Sequence, residues 1–132
     1  MTKKKYDDIL QPTDRIYRRV RIQKNDGVYV TLIHENGYML TIAGRIIGVS
    51  EVNGKWVATD MFTGLKLVKK GYVKRGYLIH VLKSKVGYYS KMFKLHSALI
   101  REQERSLGNL QMLLAFSKEV KIKNAKGNKA GK

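Results

Sequence analysis

Val28-Tyr29-Val30-Thr31-Leu32-Ile33-His34-Glu35-Asn36-Gly37-Tyr38-Met39-Leu40-Thr41-Ile42-Ala43 sets the class of fold. Val28–His34 is rich in β-branched residues, which suit a pleated strand. Asn36-Gly37 is the strongest short hairpin signal, because a two-residue type I′ turn needs positive φ at both central positions. Tyr38–Ala43 reads as the returning strand.

Working outward, Arg15 to Gln23 alternates. Ile16, Val20 and Ile22 share one face with Arg18, while Arg15, Tyr17, Arg19 and Arg21 share the other, giving a strand with one buried and one basic side. Asn25-Asp26-Gly27 is turn chemistry. Downstream, Gly44 permits a bend or bulge before a strand at Arg45–Val52. Asn53-Gly54 repeats the hairpin signal ahead of Lys55–Met61, and Thr63-Gly64 turns the chain into Leu65–Lys70. Six short strands joined by tight turns predict an antiparallel meander, either a curled sheet or a small barrel.

After Gly71 the period changes. Tyr77, Leu78, Val81 and Leu82 recur at helical spacing, so a helix is expected over about 73–86. Gly76 inside it costs about 1 kcal/mol relative to Ala. A second, long amphipathic helix is expected over about 89–117, where Phe93, Ile100, Leu107 and Leu114 repeat every seven residues. That stripe suits covering the sheet, and it equally suits a seam with a second copy, so monomer and homodimer through this helix both stay open. The expected organisation is α+β: a flexible lead at 1–14, one domain over 15–117, and a mobile basic tail at 118–132.

Charge is the outlier. Lys and Arg number 27 against 10 Asp and Glu, a net +17 with a pI near 10.2. Residues 15–24 hold five cations and no acid, while Lys66 to Lys91 holds Lys66, Lys69, Lys70, Lys74, Arg75, Lys83, Lys85 and Lys91, again with no acid. Tyr72, Tyr77, Tyr88 and Tyr89 lie among these cations. Blocks this one-sided repel themselves unless an anionic partner or counterions screen them.

The chain has no Cys, which removes disulfides, Cys-ligated zinc and thiol chemistry together. The residues after Met1 lack the apolar core of a signal peptide, and no apolar run approaches a membrane span. A soluble, cytoplasmic protein without membrane association is the expectation.

The candidate nucleic-acid-binding residues follow from the basic blocks. On the first strand, Arg15, Arg18, Arg19 and Arg21 supply rigid donor forks suited to phosphate, with Tyr17 placed to stack on a base or pack on a sugar. The same pattern also serves a strand edge guarded from aggregation by charge. Lys66, Lys69, Lys70, Lys74, Arg75, Lys83 and Lys85 suit sequence-independent phosphate contact, and a solvated face explains them as well. Trp56, beside Val57 and Ala58, reads as a core anchor more than as a stacking platform.

Gly48-Val49, Gly54-Lys55-Trp56-Val57-Ala58, Asp60, Thr63-Gly64 and Gly71, spread over about 46–86, resemble in outline the plant AP2-type and integrase N-terminal DNA-binding modules. The resemblance implies a sheet face lying in the major groove with a helix bracing it from behind. The acidic, alanine-rich opening of the AP2 helix is replaced here by Lys74-Arg75-Gly76.

Catalytic chemistry has little to stand on. His34, His80 and His96 are scattered, and Asp60 and Glu51 alone flank the fifth strand, too few carboxylates for a two-metal nuclease. The expectation is a non-enzymatic nucleic-acid-binding protein, DNA or RNA, with no metal and no cofactor. The alternative is a small interaction or inhibitor protein, of the kind mobile elements encode, that docks on an acidic groove of a nucleic-acid-processing partner.

Overall fold

β1 (Gln11–Lys24), β2 (Gly27–Ile42), β3 (Arg45–Val52) and β4 (Lys55–Asp60) follow one another as antiparallel neighbours, and β5 (Val120–Asn124) returns to pair with β2. Three helices, α1 (Arg75–Ser84), α2 (Val86–Leu95) and α3 (Ser97–Leu114), lie between β4 and β5. The structure is a computed structural model and describes residues 10–124. Among the described residues it is α+β with an antiparallel sheet of five strands, not six, and three helices, not two.

The two strands expected on either side of Asn36-Gly37 are one. β2 runs through that pair: Gln11–Thr13 face Met39–Gly37, and Ile16–Lys24 face Glu35–Gly27, with one extra residue of β1 taken up between Thr13 and Ile16. Neither Asn36 nor Gly37 has a positive φ. Glycine serves here to let two backbones approach, since a Cβ at Gly37 would lie 2.2 Å from the Val49 carbonyl oxygen. The reversal falls at Ala43-Gly44, with φ of +51° and +83°, a two-residue turn with both residues left-handed. Asn53-Gly54 forms the same turn, with φ of +53° and +80°, as its sequence predicts. β1 occupies one edge of β2, while β5 (at Gly27–Val30) and β3 (at Tyr38–Ile42) share the other.

The core lies where this sheet meets α1 and α2. Leu40, Ile42, Ile47, Val49 and Ala58 alternate onto one face, and Leu78, Ile79, Leu82 and Tyr89 pack on them. The three α1 residues are fully buried. At about 1.5–3 kcal/mol for each such side chain, their burial is what holds α1 to the sheet.

Leu65–Lys70 is not a sixth strand. It meets β4 at an isolated bridge between Thr59 and Lys66, and the chain returns to β4 at Trp56–Tyr72. Between them 67–70 is bent, which leaves Lys69 and Lys70 exposed. The expected 89–117 helix breaks at His96 (φ −108°, ψ 28°) into α2 and α3. Left straight it would run about 43 Å, longer than the diameter of about 36 Å that goes with a radius of gyration of about 14 Å for a chain of this size. The bend keeps Met92 and Phe93 on the α1 side, while Leu107 and Leu110 of α3 are buried, with α3 packed against β2 and β5. The lead expected at 1–14 is already strand from Gln11, and Val120–Asn124 of the expected tail is β5. Residues 1–9 and 125–132 of those two segments lie outside the described residues. Among the described residues, no helix is long and apolar enough to cross a membrane.

Candidate nucleic-acid interface

The β1 arginines do not form one face for a ligand. Arg18 donates through Nε and Nη2 to Glu35 at 3.1 and 2.9 Å, and Ser50 donates to the same carboxylate at 2.8 Å. Burial pushes the Glu35 carboxyl up, but the hydrogen bonds from Arg18 and Ser50 and the Arg18 charge outweigh it, so the group sits below its ordinary value. Arg19 donates to the Thr63 carbonyl at 2.6 Å, the Gln103 carbonyl at 2.7 Å and the Ser106 hydroxyl at 3.3 Å. It pins β1 to the 63–64 turn and to α3, and burial lowers its pKa. Tyr17, expected to stack on a base, stacks on His34 with ring centres 4.8 Å apart. Arg15 and Arg21 alone of this group remain exposed at the surface.

A third arginine shows why the acids are spent elsewhere. Arg45 forks onto Asp60 at 2.6 and 3.0 Å and reaches Glu104 at 2.9 Å. The Asp60 hydrogen bond chiefly raises its pKa. Asp60 also accepts from the backbone N–H groups of Phe62 and Thr63, so this carboxylate builds the turn after β4. Glu51 is exposed and takes no part. Among the described residues, no three His, Asp or Glu side chains gather as a metal-holding group.

The second basic block behaves differently. Lys69, Lys70 and Lys85 line one groove together with Tyr72, Tyr88 and Tyr89, between the 67–72 segment, α1 and α2. Tyr89 is buried and Tyr88 is 61% exposed, so the rings run from core to solvent. Burial raises the Tyr89 pKa, with Tyr88 and Tyr72 adding to it. Among the described residues, no carboxylate lines the groove. Lys66 sits beside it, donating to the Lys69 carbonyl at 3.3 Å, and Lys74, at the residue before α1, has an exposed side chain that makes no capping bond.

Two predicted residues stand apart from the groove. Arg75 lies over the Tyr38 ring at 4.5 Å and the Trp56 ring at 5.7 Å, packing the start of α1 onto the sheet. Trp56 is half-buried against the core. Lys83 is two residues from groove-lining Val81, about 200° around the helix, and so faces away. Asp26, Glu35, Asp60, Glu102, Glu104 and Glu119 pair with Lys121, Arg18, Arg45, Arg105, Arg45 and Lys24. Among the described residues, none of Lys66, Lys69, Lys70, Lys74, Lys83, Lys85 and Lys91 is salt-bridged.

The groove tyrosines were visible in the sequence as rings among cations, yet only their spacing after folding marks Tyr72 and Tyr88 as lining residues.

An α+β scaffold carrying a cationic, aromatic groove is the class that the fold and this site define. No family model, curated protein or solved structure matches the chain. The geometry implied by the AP2-type and integrase outline holds on one side only. α1 does brace β3 and β4 through Leu78, Ile79 and Leu82. The opposite face is closed, because Ile16 of β1 lies against Gly48, where a Cβ would meet its Cγ1 at 2.7 Å, and Ser50 is buried. Around Gly48 that face is covered by β1.

Proposed function

We propose that this protein binds nucleic acid without catalysing a reaction, holding the phosphate backbone on the surface formed by Lys66, Lys69, Lys70, Lys74 and Lys85. The observation that carries the reading is the groove that Lys69, Lys70 and Lys85 line with three tyrosines and, among the described residues, no carboxylate. Lys is a compact cation that neutralises phosphate without reading bases, so binding is tolerant of sequence. Arg18 and Arg19, spent on Glu35 and on backbone carbonyls, are left out of the contact set, and the sheet curling β1 over β3 is part of the same reading.

The test is affinity against salt. With about five phosphate contacts, one for each of these lysines, the log–log slope is about −4.5 for duplex and about −3.5 for a single strand. An affinity indifferent to salt would refute the proposal. A second reading, a small protein docking on an acidic groove of a nucleic-acid-processing partner, is favoured by the exposed apolar side chains Leu95, Leu99, Met112, Leu113 and Phe116. It predicts no gel shift with duplex DNA, single-stranded DNA or RNA at physiological salt.

A further inference from the structure

We propose that the groove between the 67–72 segment, α1 and α2 is a site for single-stranded nucleic acid, an unpaired base lying against Tyr88 and Tyr72 with its flanking phosphates on Lys69, Lys70 and Lys85. This rests on the nucleic-acid reading above and adds the strandedness of the ligand.

A surface that served only duplex phosphates would need cations on a polar, open face. This groove has an apolar floor instead, formed by Leu67, Val68, Val81 and Met92. A duplex keeps its base faces stacked inside and has nothing to place on such a floor. An unpaired base has a free π-face and gains from leaving water, and every base shares that property. The groove, open to solvent on one side, offers about 640 Å³, within the range that takes a ligand-sized group such as a base with its sugar.

Tyr88 is placed for this role. Its ring is 61% exposed at the groove wall and meets Tyr89 edge-to-face with centres 5.4 Å apart. Tyr89 in turn stacks on Phe93 at 6.1 Å and is buried in the core. The column Tyr88–Tyr89–Phe93 therefore roots an exposed ring in packed structure. A base stacking there loses little entropy to ordering the platform. Tyr72, which lines the same groove, is held edge-to-face by Tyr77 at 5.3 Å, and its backbone bonds to Trp56 in both directions. Lys69, Lys70 and Lys85 line the same groove as both rings, so cations are at hand for a strand's phosphates.

The test is fluorescence anisotropy on the full chain with a labelled 20-nucleotide DNA strand of mixed sequence, the RNA of the same sequence, and the DNA duplex. The native protein, Tyr88→Ala, Tyr88→Trp and Lys83→Ala are compared at one salt concentration. Circular dichroism melting establishes that each variant is folded. Expected is tighter binding of either single strand than of the duplex. Tyr88→Ala weakens single-strand binding about tenfold and leaves the duplex unchanged. Tyr88→Trp retains affinity, and its fluorescence is quenched on binding, whereas Lys83→Ala, on the far side of α1, changes strand preference for neither. Duplex binding as tight as single-strand binding, with Tyr88→Ala without effect on both, overturns the inference while leaving the nucleic-acid reading intact. Absence of binding to all three overturns both.

Discussion

Arg19 carries more of the fold than any cation near it. Its guanidinium serves two backbone carbonyls and a hydroxyl on separate elements, whereas Arg21, one step further along the same face, is exposed. Truncation at 19 leaves the Thr63 carbonyl without its donor and the Gln103 carbonyl with its helical bond alone, and a part-buried orphaned acceptor costs about 1–3 kcal/mol. Arg19→Ala should lower stability by about 2–3 kcal/mol in urea unfolding, with Arg21→Ala within about 0.5 kcal/mol of the native protein. Equal midpoints for the two variants would mean that Arg19 is not a pin. Sequence alternation put both residues on one strand face correctly. It held no information on which of them α3 would later cover, because that partner lies more than eighty residues away.

At the scale of elements, the pair Asn36-Gly37 and Ala43-Gly44 shows where local signals stop. Asn-Gly is the better turn dipeptide, yet the chain passes straight through it and reverses at Ala-Gly. Pairing outweighs the local preference: β2 is bonded to β1 along its length and to β3 from Tyr38 onward, and a turn at 36–37 would break both ladders. The cost is left at Ala43, whose φ of +51° is a conformation that disfavours a Cβ by about 1 kcal/mol. Ala43→Asn, which recreates the Asn53-Gly54 turn one hairpin earlier, should stabilise the protein by about 0.5–1 kcal/mol, read as a rise in thermal midpoint. A fall would mean that the Ala43 methyl, packed against the core, matters more than backbone strain. Where signals were unopposed they held in part: Asn53-Gly54 turns, and of Tyr77, Leu78, Val81 and Leu82 the two leucines lie on the buried face of α1, with Ile79 beside them and Tyr77 exposed. The sixth strand failed because strand propensity in Leu65–Lys70 says nothing about Lys69 and Lys70 being drawn out into solvent.

Across the whole molecule, charge is sorted and not merely abundant. Carboxylates and their partners occupy the sheet, α3 and β5, whereas the run from Lys66 to Lys91 contains no acid to meet. That run was plain in the sequence; its division was not, since the helical turn that brings Lys85 to the groove carries Lys83 away from it. Repulsion along this side works against folding at low ionic strength. Raising salt from 0.01 to 0.15 M shortens the Debye length from about 30 to about 8 Å, which screens the exposed lysines more than the part-buried pairs Arg18–Glu35 and Arg45–Asp60. The thermal midpoint should therefore rise over that range, while affinity for nucleic acid falls. Opposite responses to one variable separate an unscreened binding surface from an ordinary set of surface ion pairs. If the midpoint instead drops as salt is added, the internal pairs outweigh the repulsion, and the lysine surface is not the concentrated positive field that nucleic-acid binding requires.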